Sequence, residues 1–348
     1  MSTILYFIKT ANKESFKKIL EKIDLGFIDK KEFVALKTHF GEKGCDTFVP
    51  SDMYRPLVDI LLKKETLPFF TDTNTIYTGK RANAIEHLKL AAEHGFSLNK
   101  LGVPVVIADG LKGNDYVEVE INLKNFKKAK IASWIYYSDV IICLTHFKGH
   151  MLFGFGGTLK NLGMGCAARP GKYLLHNVLK PNLKLERCIR CGKCVVFCPA
   201  GALSLEKDKN ITLNYSRCTG CGECIHTCAY KVFSIPWDLS YKEVQERTVE
   251  YAYAAVKNKK VLFINFLLNI TKDCDCINKQ QRPIIKDIGI VIGSDPVALD
   301  FASLQMVNFY YGKDLFKELW PEIDYLYQID YAEKIGLGRR EYKIVEVE

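Results

Sequence analysis

Eight cysteines of this chain lie in two motifs with the same spacing, C-x2-C-x2-C-x3-C, and the second motif follows the first by thirty residues. The two motifs consist of Cys188, Cys191, Cys194 and Cys198, and of Cys218, Cys221, Cys224 and Cys228. The repeat extends beyond cysteine, because Arg187 and Gly192 have counterparts in Arg217 and Gly222. A repeat of this kind predicts two superposable half-modules related by pseudo-symmetry.

This spacing predicts two [4Fe–4S] clusters. A close triplet of cysteines holds three corners of a cubane, and in two-cluster proteins the fourth cysteine of each motif ligates the other cluster. The predicted ligands are Cys188, Cys191, Cys194 and Cys228 for one cluster, and Cys218, Cys221, Cys224 and Cys198 for the other. A pair of zinc sites is the alternative, although zinc sites usually present separated C-x2-4-C pairs. Residues 182–236 resemble the bacterial two-cluster ferredoxin module, except that Ala229 replaces the proline that usually follows the second motif.

The composition is typical of a globular protein that is not exported. The 348 residues are 48% hydrophobic and 26% charged, which allows a large core. The longest apolar run, Val261 to Ile270, has about half the length of a membrane span, and the apolar stretch Ile4 to Ile8 is too short for a signal peptide. We therefore expect a cytoplasmic protein outside the membrane, whose reduced thiols bind metals or carry out redox chemistry.

The formal net charge of +9 raises the question of nucleic-acid binding. Each oxidised four-thiolate cluster carries about −2, which brings the loaded protein to about +5. The sequence has no block of Lys and Arg with interleaved aromatic residues of the kind that marks a nucleic-acid groove. We therefore expect no nucleic-acid partner.

Outside the cysteine motifs, short β-branched or aromatic runs alternate with helical patterns. The predicted strands are Ile4–Ile8, Phe33–Leu36, Pro68–Phe70, Val103–Ala108, Val140–Leu144, Val261–Phe266 and Ile288–Ile292. Predicted helices begin near Phe16, Ser51, Ala84, Ser240 and Ser294. This alternation predicts an α/β fold with a largely parallel sheet covered by helices. We predict one discontinuous α/β domain, residues 1–181 and 237–348, with an inserted two-cluster ferredoxin-like (α+β) module at 182–236.

Polar residues follow several of the predicted strands, and ligands of open α/β sheets bind beyond the carboxyl ends of the strands. A Thr-His-Phe triplet follows two strands and contributes His39 and His146. Other strands lead to residues 71–74 and to residues 293–296. We predict that His39 or His146 contacts a ligand and acts in catalysis at this edge. The alternative is that either histidine only hydrogen-bonds a loop carbonyl.

A glycine-rich and basic segment, residues 154–172, predicts a phosphate or flavin site. Thr158 can begin a short helix whose free N–H groups face an anion, and nearby lysines and arginine supply positive charge. The candidate ligands are Lys148, Gly156, Gly157, Thr158, Lys160, Asn161, Arg169 and Lys172. The segment matches neither a Walker loop nor the G-x-G-x-x-G fingerprint. The alternative is a connector without function.

Cys274 and Cys276 lie outside the two motifs, in the sequence Asp273-Cys274-Asp275-Cys276. Joint action of the two thiols requires a turn, because side chains two apart in a strand point to opposite sides. The flanking aspartates should raise the pKa of a free thiol, which favours a protonated or metal-bound one. One hypothesis places a thiol in the crevice with His39 or His146, and the other buries it as a small apolar side chain. We assign no role to Cys45, Cys143 and Cys166.

Several segments together resemble the DUF362 family, in particular members with a two-cluster ferredoxin insert. The segments are Leu36–Gly44, Thr71–Thr75 with Tyr77 and Gly79, Thr145–Lys172, Asp273–Cys276 and Asp287–Asp300. The resemblance implies iron–sulfur redox chemistry and one α/β unit, and it supplies no substrate.

These patterns together favour an iron–sulfur oxidoreductase. Clusters transfer single electrons, whereas most organic reductions need two, so we expect a device that stores a pair of electrons, of which a flavin such as FMN is the simplest. The expected partners are a redox protein and an unknown small-molecule substrate. The alternative function is a non-catalytic electron carrier or maturation partner that docks on another redox enzyme.

Overall fold

The computed structural model describes residues 3–77, 79–176, 181–198, 200–206, 210–218, 223–234 and 241–348. The predicted cluster ligand Cys221, the helix start at Ser240 and the domain boundary at 236 and 237 lie outside these residues. In the parts of the chain that the structure describes, the helices are too short or too polar to cross a membrane.

The strands appear where β-branched and aromatic residues are concentrated. They are β1 (Thr3–Lys9), β2 (Phe33–Lys37), β3 (Leu67–Asp72), β4 (Val105–Ile107), β5 (Tyr116–Glu120), β6 (Lys128–Ala132), β7 (Val140–His146), β8 (Lys148–His150), β9 (Gly154–Gly156), β10 (Asn182–Leu183), β11 (Leu203–Ser204), β12 (Thr212–Leu213), β13 (Phe233–Ser234), β14 (Lys260–Leu267), β15 (Gly289–Gly293) and β16 (Tyr342–Val347).

The helices mostly begin at residues that can cap them, as Asn12, Asn83 and Asp295 do. They are α1 (Lys13–Leu20), α2 (Arg55–Lys63), α3 (Ala84–Glu93), α4 (Leu98–Leu101), α5 (Ser133–Tyr137), α6 (Thr158–Cys166), α7 (Arg169–Leu175), α8 (Lys193–Val196), α9 (Glu223–Thr227), α10 (Tyr241–Val256), α11 (Pro296–Tyr311), α12 (Leu315–Leu319) and α13 (Tyr327–Lys334). Single 3-10 turns lie at Ser51–Tyr54 and Leu185–Arg187.

Within the described residues, eight strands form the main sheet in the order β16-β1-β15-β14-β7-β2-β3-β4. The pairs β1–β16, β14–β7, β7–β2, β2–β3 and β3–β4 are parallel. β15 is antiparallel to both of its neighbours. The predicted α/β fold with a largely parallel sheet is therefore confirmed.

The direction of β15 corrects one expectation about the strand ends. Residues 293–296 follow β15 and therefore lie at the edge opposite the carboxyl ends of β7 and β14. Asp295 accepts hydrogen bonds there from the backbone N–H groups of Val297 and Ala298 and caps α11. This segment serves the fold and does not belong to the crevice.

Helices cover both faces of the sheet. Alternate residues of β7 separate the two cores, because Ile141 and Cys143 pack on one face and Ile142 and Leu144 on the other. The first core includes residues of α6, α10, α11 and α13, and the second includes residues of α1 and α2. Burial on both faces explains why the central strands are almost entirely apolar.

The cysteine motifs lie among short elements between α7 and α10. β10 pairs with β13, and β11 pairs with β12, both antiparallel. Leu203, Ile211, Val232 and Phe233 form a small core of their own, against which several motif cysteines pack. The division into an α/β domain and an inserted module at 182–236 remains a prediction, which this small separate core supports.

Candidate functional site

The carboxyl ends of β2, β3, β7 and β14 meet at one edge of the sheet, because these strands are parallel. They bring together His39 after β2, Asp72 at the end of β3, His146 at the end of β7, and Cys274 in the loop after β14. We call this edge the crevice. Its polar side chains are largely buried, so each charge needs a partner within the protein.

A buried ion pair joins the first two strand ends. Lys37 Nζ lies 3.0 Å from Asp72 Oδ1 and donates to Asn161 Oδ1 at 2.8 Å. Burial alone would raise the pKa of Asp72, but Lys37 and His39 reverse this effect and hold that pKa well below its ordinary value. A Cβ atom at Gly165 would lie 2.4 Å from Lys37 Nζ, so glycine is required at that position of α6.

His39 faces a buried arginine. Arg81 donates from Nη1 to His39 Nε2 at 2.9 Å and from Nε to Glu42 Oε2 at 3.1 Å, and it also donates to the hydroxyl of Tyr77. Burial and the neighbouring Arg81 hold the pKa of His39 well below its ordinary value, so the ring is neutral at neutral pH. The structure therefore places His39 in the crevice as a hydrogen-bond acceptor.

His146 lies in a second charged cluster. Its Nδ1 is 2.9 Å from Asp275 Oδ2 and its Nε2 is 2.8 Å from the carbonyl oxygen of Leu268. Both partners are hydrogen-bond acceptors, so each ring nitrogen that carries a proton donates it within the protein. Lys148 Nζ lies 3.0 Å from the same Asp275 carboxylate. Burial opposes ionisation of Asp275, but His146 and Lys148 hold its pKa well below the ordinary value.

Cys274 and Cys276 lie together in a tight turn, as joint action requires. The N–H of Ile277 donates to the carbonyl of Cys274 at 3.1 Å and closes the turn. Lys160 donates from Nζ to Cys274 Sγ at 3.3 Å, and the N–H of Cys276 points to the same sulfur at 3.4 Å. A ligand atom of His150 and both sulfurs lie within 4.8 Å of one another. The structure thus gathers one imidazole, two thiols and one ammonium.

The expectation that the flanking aspartates raise the pKa of both thiols is wrong for Cys274. The hydrogen bond from Cys276 and the charge of Lys160 outweigh burial and hold the pKa of Cys274 well below its ordinary value. The pKa of Cys276, which supplies the proton to this bond, is raised. The aspartates have little influence because Asp275 is paired with His146 and Lys148, and Asp273 with Lys279 at 2.7 Å.

His150 completes this group in one tautomer. Its Nδ1 accepts the backbone N–H of Leu152 at 3.1 Å, so the proton of the neutral ring is on Nε2. Burial, together with the charge of Lys160, lowers the pKa of His150 to about 4. The ring is neutral at neutral pH.

The predicted phosphate site at the start of α6 is corrected by the structure. Asp300 accepts the N–H of Thr158 at 2.7 Å and that of Leu159 at 2.8 Å, so a carboxylate of the chain itself occupies these donors. A Cβ atom at Gly157 would lie 2.4 Å from Asp300 Oδ1. Because glycine has no Cβ, this position leaves room for the carboxylate. Burial raises the pKa of Asp300 to about 6.

The other predicted phosphate ligands do not form one cradle. Lys148 faces Asp275, Lys160 faces Cys274, and Asn161 holds Lys37. Lys172 donates to Thr73 Oγ1 at 2.7 Å and to the carbonyl of Asn74 at 2.6 Å, and Arg169 donates to the carbonyl of Ala82. The α6 segment thus supplies side chains to several parts of the crevice instead of one anion site.

The first predicted set of cluster ligands lines a single cavity. Cys188, Cys191, Cys194 and Cys228 all line this pocket, although Cys228 belongs to the second motif. Burial and the neighbouring Cys228 raise the pKa of the Cys194 thiol. Arg190 and Lys193 also line this cavity.

The second predicted set lies partly outside the described residues, because Cys221 does. Cys198 accepts the N–H of Ala202 at 3.2 Å, and Cys198 and Cys224 pack on the small core. Ile225, next to Cys224, packs with Tyr77 against the cluster of Ile76 and Tyr173 in the α/β part. The helix that carries Cys224 therefore touches the crevice wall.

Sequence reasoning gave no role to several residues of the crevice. Lys37 and Asp72 lie just beyond the ends of predicted strands, and that position was the available signal. Arg81, Glu42 and Asp300 carry no local signal, because their importance comes from contacts with distant parts of the chain. His150 follows the second Thr-His-Phe triplet but matches no motif.

Comparisons with known proteins give a family and two distant structures. The family described as "Domain of unknown function (DUF362)" matches residues 34–305. The lactate racemase apoprotein from Thermoanaerobacterium thermosaccharolyticum is 13% identical with a TM-score of 0.41, and the match covers 76% of this chain and 50% of that one. A protein from Thermotoga maritima is 14% identical with a TM-score of 0.38, over 92% of this chain and 58% of that one. This chain thus spans little more than half the length of these structures. A search of curated proteins gave no significant match.

Proposed function

The chain belongs to the DUF362 family, whose description assigns no activity, and we propose from the geometry of its sites that it is an iron–sulfur redox protein that delivers electrons to the crevice. The proposed clusters supply one-electron transfer when bound. The observation that carries the proposal is the single pocket lined by four cysteines from two motifs.

The fourth cysteine is the informative one. Cys228 lies thirty-four residues after Cys194 in the sequence, yet both line the same cavity. This exchange of the fourth cysteine between motifs is the pattern of two-cluster ferredoxins. A chain that used each motif for its own zinc ion would instead gather the four cysteines of one motif.

The spacing of the sulfurs also favours a cubane over a single ion. Zinc–sulfur bonds of about 2.3 Å hold the sulfurs of one site within about 4.6 Å of each other. Among the described residues, the group of three ligand atoms within 4.8 Å of one another is that of His150, Cys274 and Cys276. The four cavity cysteines are more widely spread, as a larger cluster requires.

The two predicted cluster sites differ in their surroundings. Cys191 in the first cavity is exposed, and Arg190 and Lys193 flank it. A cluster held there would be open to a redox partner with an acidic surface. The second set contains Cys224, whose neighbour Ile225 packs on Ile76 and Tyr173, against which Tyr77 at the crevice wall also packs. In this order, electrons would enter at the exposed first cluster and reach the crevice from the second.

The residues of the crevice are suited to bind and orient a small polar substrate. Lys37, Arg81 and Lys148 supply positive charge in a water-poor site, and their partners Asp72, Glu42 and Asp275 fix their positions. His39 and His146 hold these groups in place, because both ring nitrogens of each already have partners within the protein. A flavin remains a candidate cofactor, but it gains no support from Thr158, whose N–H is taken by Asp300.

The proposal is tested by metal and sulfide analysis of anaerobically purified protein, together with its EPR spectrum after reduction. We expect about eight irons and eight sulfides per chain. Cys191→Ser and Cys228→Ser should lose the same EPR signal, because both cysteines line one cavity, whereas Cys224→Ser should lose the other. Zinc without sulfide, or different signals lost in Cys191→Ser and Cys228→Ser, would contradict the proposal.

The non-catalytic carrier differs from this proposal in the use of the crevice. A carrier would exchange electrons at the exposed cluster and would not need the buried charges around Asp72 and Asp275. Substitution of Lys37 by Met would then leave electron transfer to every acceptor unchanged. We expect instead that this variant keeps both clusters and loses turnover of a crevice substrate.

A further inference from the structure

The group of Cys274, Cys276, His150 and Lys160 lies apart from the eight motif cysteines, and its geometry can be explained in two ways. An imidazole and two sulfurs within 4.8 Å could hold one metal ion. Two thiols in one turn could also form a disulfide. The hydrogen bonds around the group decide between them.

The tautomer of His150 argues against a metal ion. A histidine ligand uses a nitrogen lone pair and usually donates its other N–H to an acceptor. His150 Nδ1 instead accepts the N–H of Leu152 at 3.1 Å, which leaves the proton of the neutral ring on Nε2. Neither nitrogen then offers a free lone pair to an ion.

The position of Lys160 gives a second, independent argument. Its ammonium donates to Cys274 Sγ at 3.3 Å. A divalent cation at the same sulfur would lie close to this positive charge, which would repel it. The ammonium is instead well placed to stabilise a thiolate that has no metal.

The turn brings the two sulfurs within range of a disulfide. Two residues span at most about 7 Å when extended, and the Cys274–Ile277 hydrogen bond at 3.1 Å closes the turn and shortens this span. Cα atoms of disulfides lie about 4.4–6.8 Å apart. The N–H of Cys276 also points to Cys274 Sγ at 3.4 Å, so the second residue already folds back on the first sulfur.

We propose that Cys274 and Cys276 are a redox pair that cycles between a disulfide and a dithiol in the crevice, and so takes up two electrons at once. On reduction the Sγ–Sγ bond breaks, two electrons enter, one proton goes to Cys276, and Cys274 stays a thiolate beside Lys160. The reverse step passes two electrons and one proton to a two-electron acceptor. The electrons come from a dithiol reductant in the test below.

In the protein, the proposed clusters would supply these electrons, and this part of the inference rests on the proposed function. The pair would then do what a flavin does elsewhere, which is to collect single electrons into pairs. Its location fits, because Tyr77, which accepts a hydrogen bond from Arg81 in the crevice, and Ile225, the neighbour of Cys224, both pack on Ile76 and Tyr173.

The test uses the full-length, cluster-loaded protein, equilibrated anaerobically in mixtures of reduced and oxidised dithiothreitol. After rapid alkylation, trypsin releases residues 273–279, which contain Cys274 and Cys276 and no other cysteine. As the oxidised fraction rises, we expect the doubly alkylated peptide to be replaced by an unalkylated one. The mass of that peptide should be two hydrogen atoms below the mass of the free dithiol. A peptide that stays doubly alkylated at every ratio would overturn the proposal.

Lys160→Met tests the proposed role of the ammonium. Loss of a charge-assisted hydrogen bond to the thiolate destabilises the reduced form, so the equilibrium should shift about tenfold towards the disulfide. Lys172→Met is the matched control, because Lys172 is also buried in the crevice but contacts Thr73 and Asn74. An equal shift in both variants would overturn the assignment of Lys160.

Metal analysis separates this inference from the proposed function. Anaerobically purified protein without iron and sulfide would refute the proposed clusters but would not affect the peptide result. Wild type could instead retain one equivalent of metal beyond the two clusters and lose it in Cys274→Ser. This result would refute the redox pair but not the clusters. Reduction of a preformed disulfide by a one-electron donor should require Cys224, so Cys224→Ser should keep the disulfide after that donor is added.

Discussion

At the scale of single residues, the crevice is a set of buried charges that depend on each other. Lys37 pairs with Asp72, and His146 and Lys148 share Asp275. Removal of one member of a buried pair typically costs about 3–5 kcal/mol, because it leaves the other charge without a partner in a medium that hydrates it poorly. Side chains here are therefore constrained by their partners as much as by a substrate.

Asp300 gives a prediction for stability against pH. Burial raises its pKa from 3.8 in the unfolded chain to about 6 in the folded protein, so the folded state binds the proton more tightly. Its contribution to stability is present below about pH 4 and is lost as the pH rises to about 6. The difference in the free energy of unfolding between wild type and Asp300→Asn, taken as wild type minus variant, should fall by about 3 kcal/mol as the pH rises through this window. Denaturant titrations followed by tryptophan fluorescence measure it, and a constant difference would contradict it.

Residue-level prediction from the sequence worked where position on a strand was informative. His39 and His146 were placed at the crevice because each follows a strand. Their chemistry could not be predicted, because it depends on partners from elsewhere: Arg81 is 42 residues from His39, and Asp275 is 129 residues from His146. The same holds for Asp300, which lies 142 residues from Thr158 and occupies the N–H groups expected to bind a phosphate.

At the scale of elements, close approach of α6 and α10 depends on one glycine. A Cβ atom at Gly163 would lie 2.1 Å from the carbonyl oxygen of Thr248 and 2.5 Å from its Cγ2. Because a backbone atom cannot rotate away as a side chain can, the two helices would have to separate. α6 also carries Lys160 and Asn161, so this packing positions two side chains of the crevice.

Gly163→Ala should therefore lower the free energy of unfolding by about 1–3 kcal/mol, the usual cost of overpacking. Thr248→Ala serves as the control, because it removes Cγ2 but leaves the carbonyl oxygen in place. The double variant should remain as unstable as Gly163→Ala, as measured by thermal unfolding. Full rescue by Thr248→Ala would show that the side chain, and not the backbone, limits the approach.

The elements themselves were largely predictable. The seven strands expected from apolar runs all appear, because strands buried on both faces are continuous in β-branched and aromatic residues. β16 and the hairpin of β5 and β6 were missed, since their residues are mostly exposed or polar. The antiparallel direction of β15 has no local signal, because it is set by pairing with β1 and β14.

At the scale of the whole molecule, the cysteine-rich part and the α/β part touch at identifiable contacts. Ile225 packs, together with Tyr77, against Ile76 and Tyr173, and the Lys112 ammonium lies 4.3 Å from the centre of the Phe197 ring. Both contacts involve residues next to predicted ligands of the second cluster, Cys224 and Cys198. The arrangement of the two parts therefore bears on electron delivery.

Ile225→Asp should loosen this contact without removing a ligand. Loss of one buried apolar side chain of this size costs about 1.5–3 kcal/mol, so hydrogen exchange at Ile76 and Tyr77 should accelerate by about tenfold or more. Iron content should stay at the wild-type level. Ile189→Asp is the control, because Ile189 is exposed beside Cys188 in the other motif. Similar acceleration in both variants would mean that Ile225 does not specifically stabilise this contact.

The order of strands in the main sheet has a consequence for biosynthesis. β1 lies between β15 and β16, which begin only at Gly289 and Tyr342, so the first strand made must wait for the last ones. A ribosome adds about 5–20 residues per second, and the cysteine motifs therefore emerge several seconds before β15. If the proposed clusters are assembled at that stage, iron and sulfide must reach a nascent chain whose sheet is still open, and a shortage of either would leave the motifs exposed while the rest of the fold is being completed.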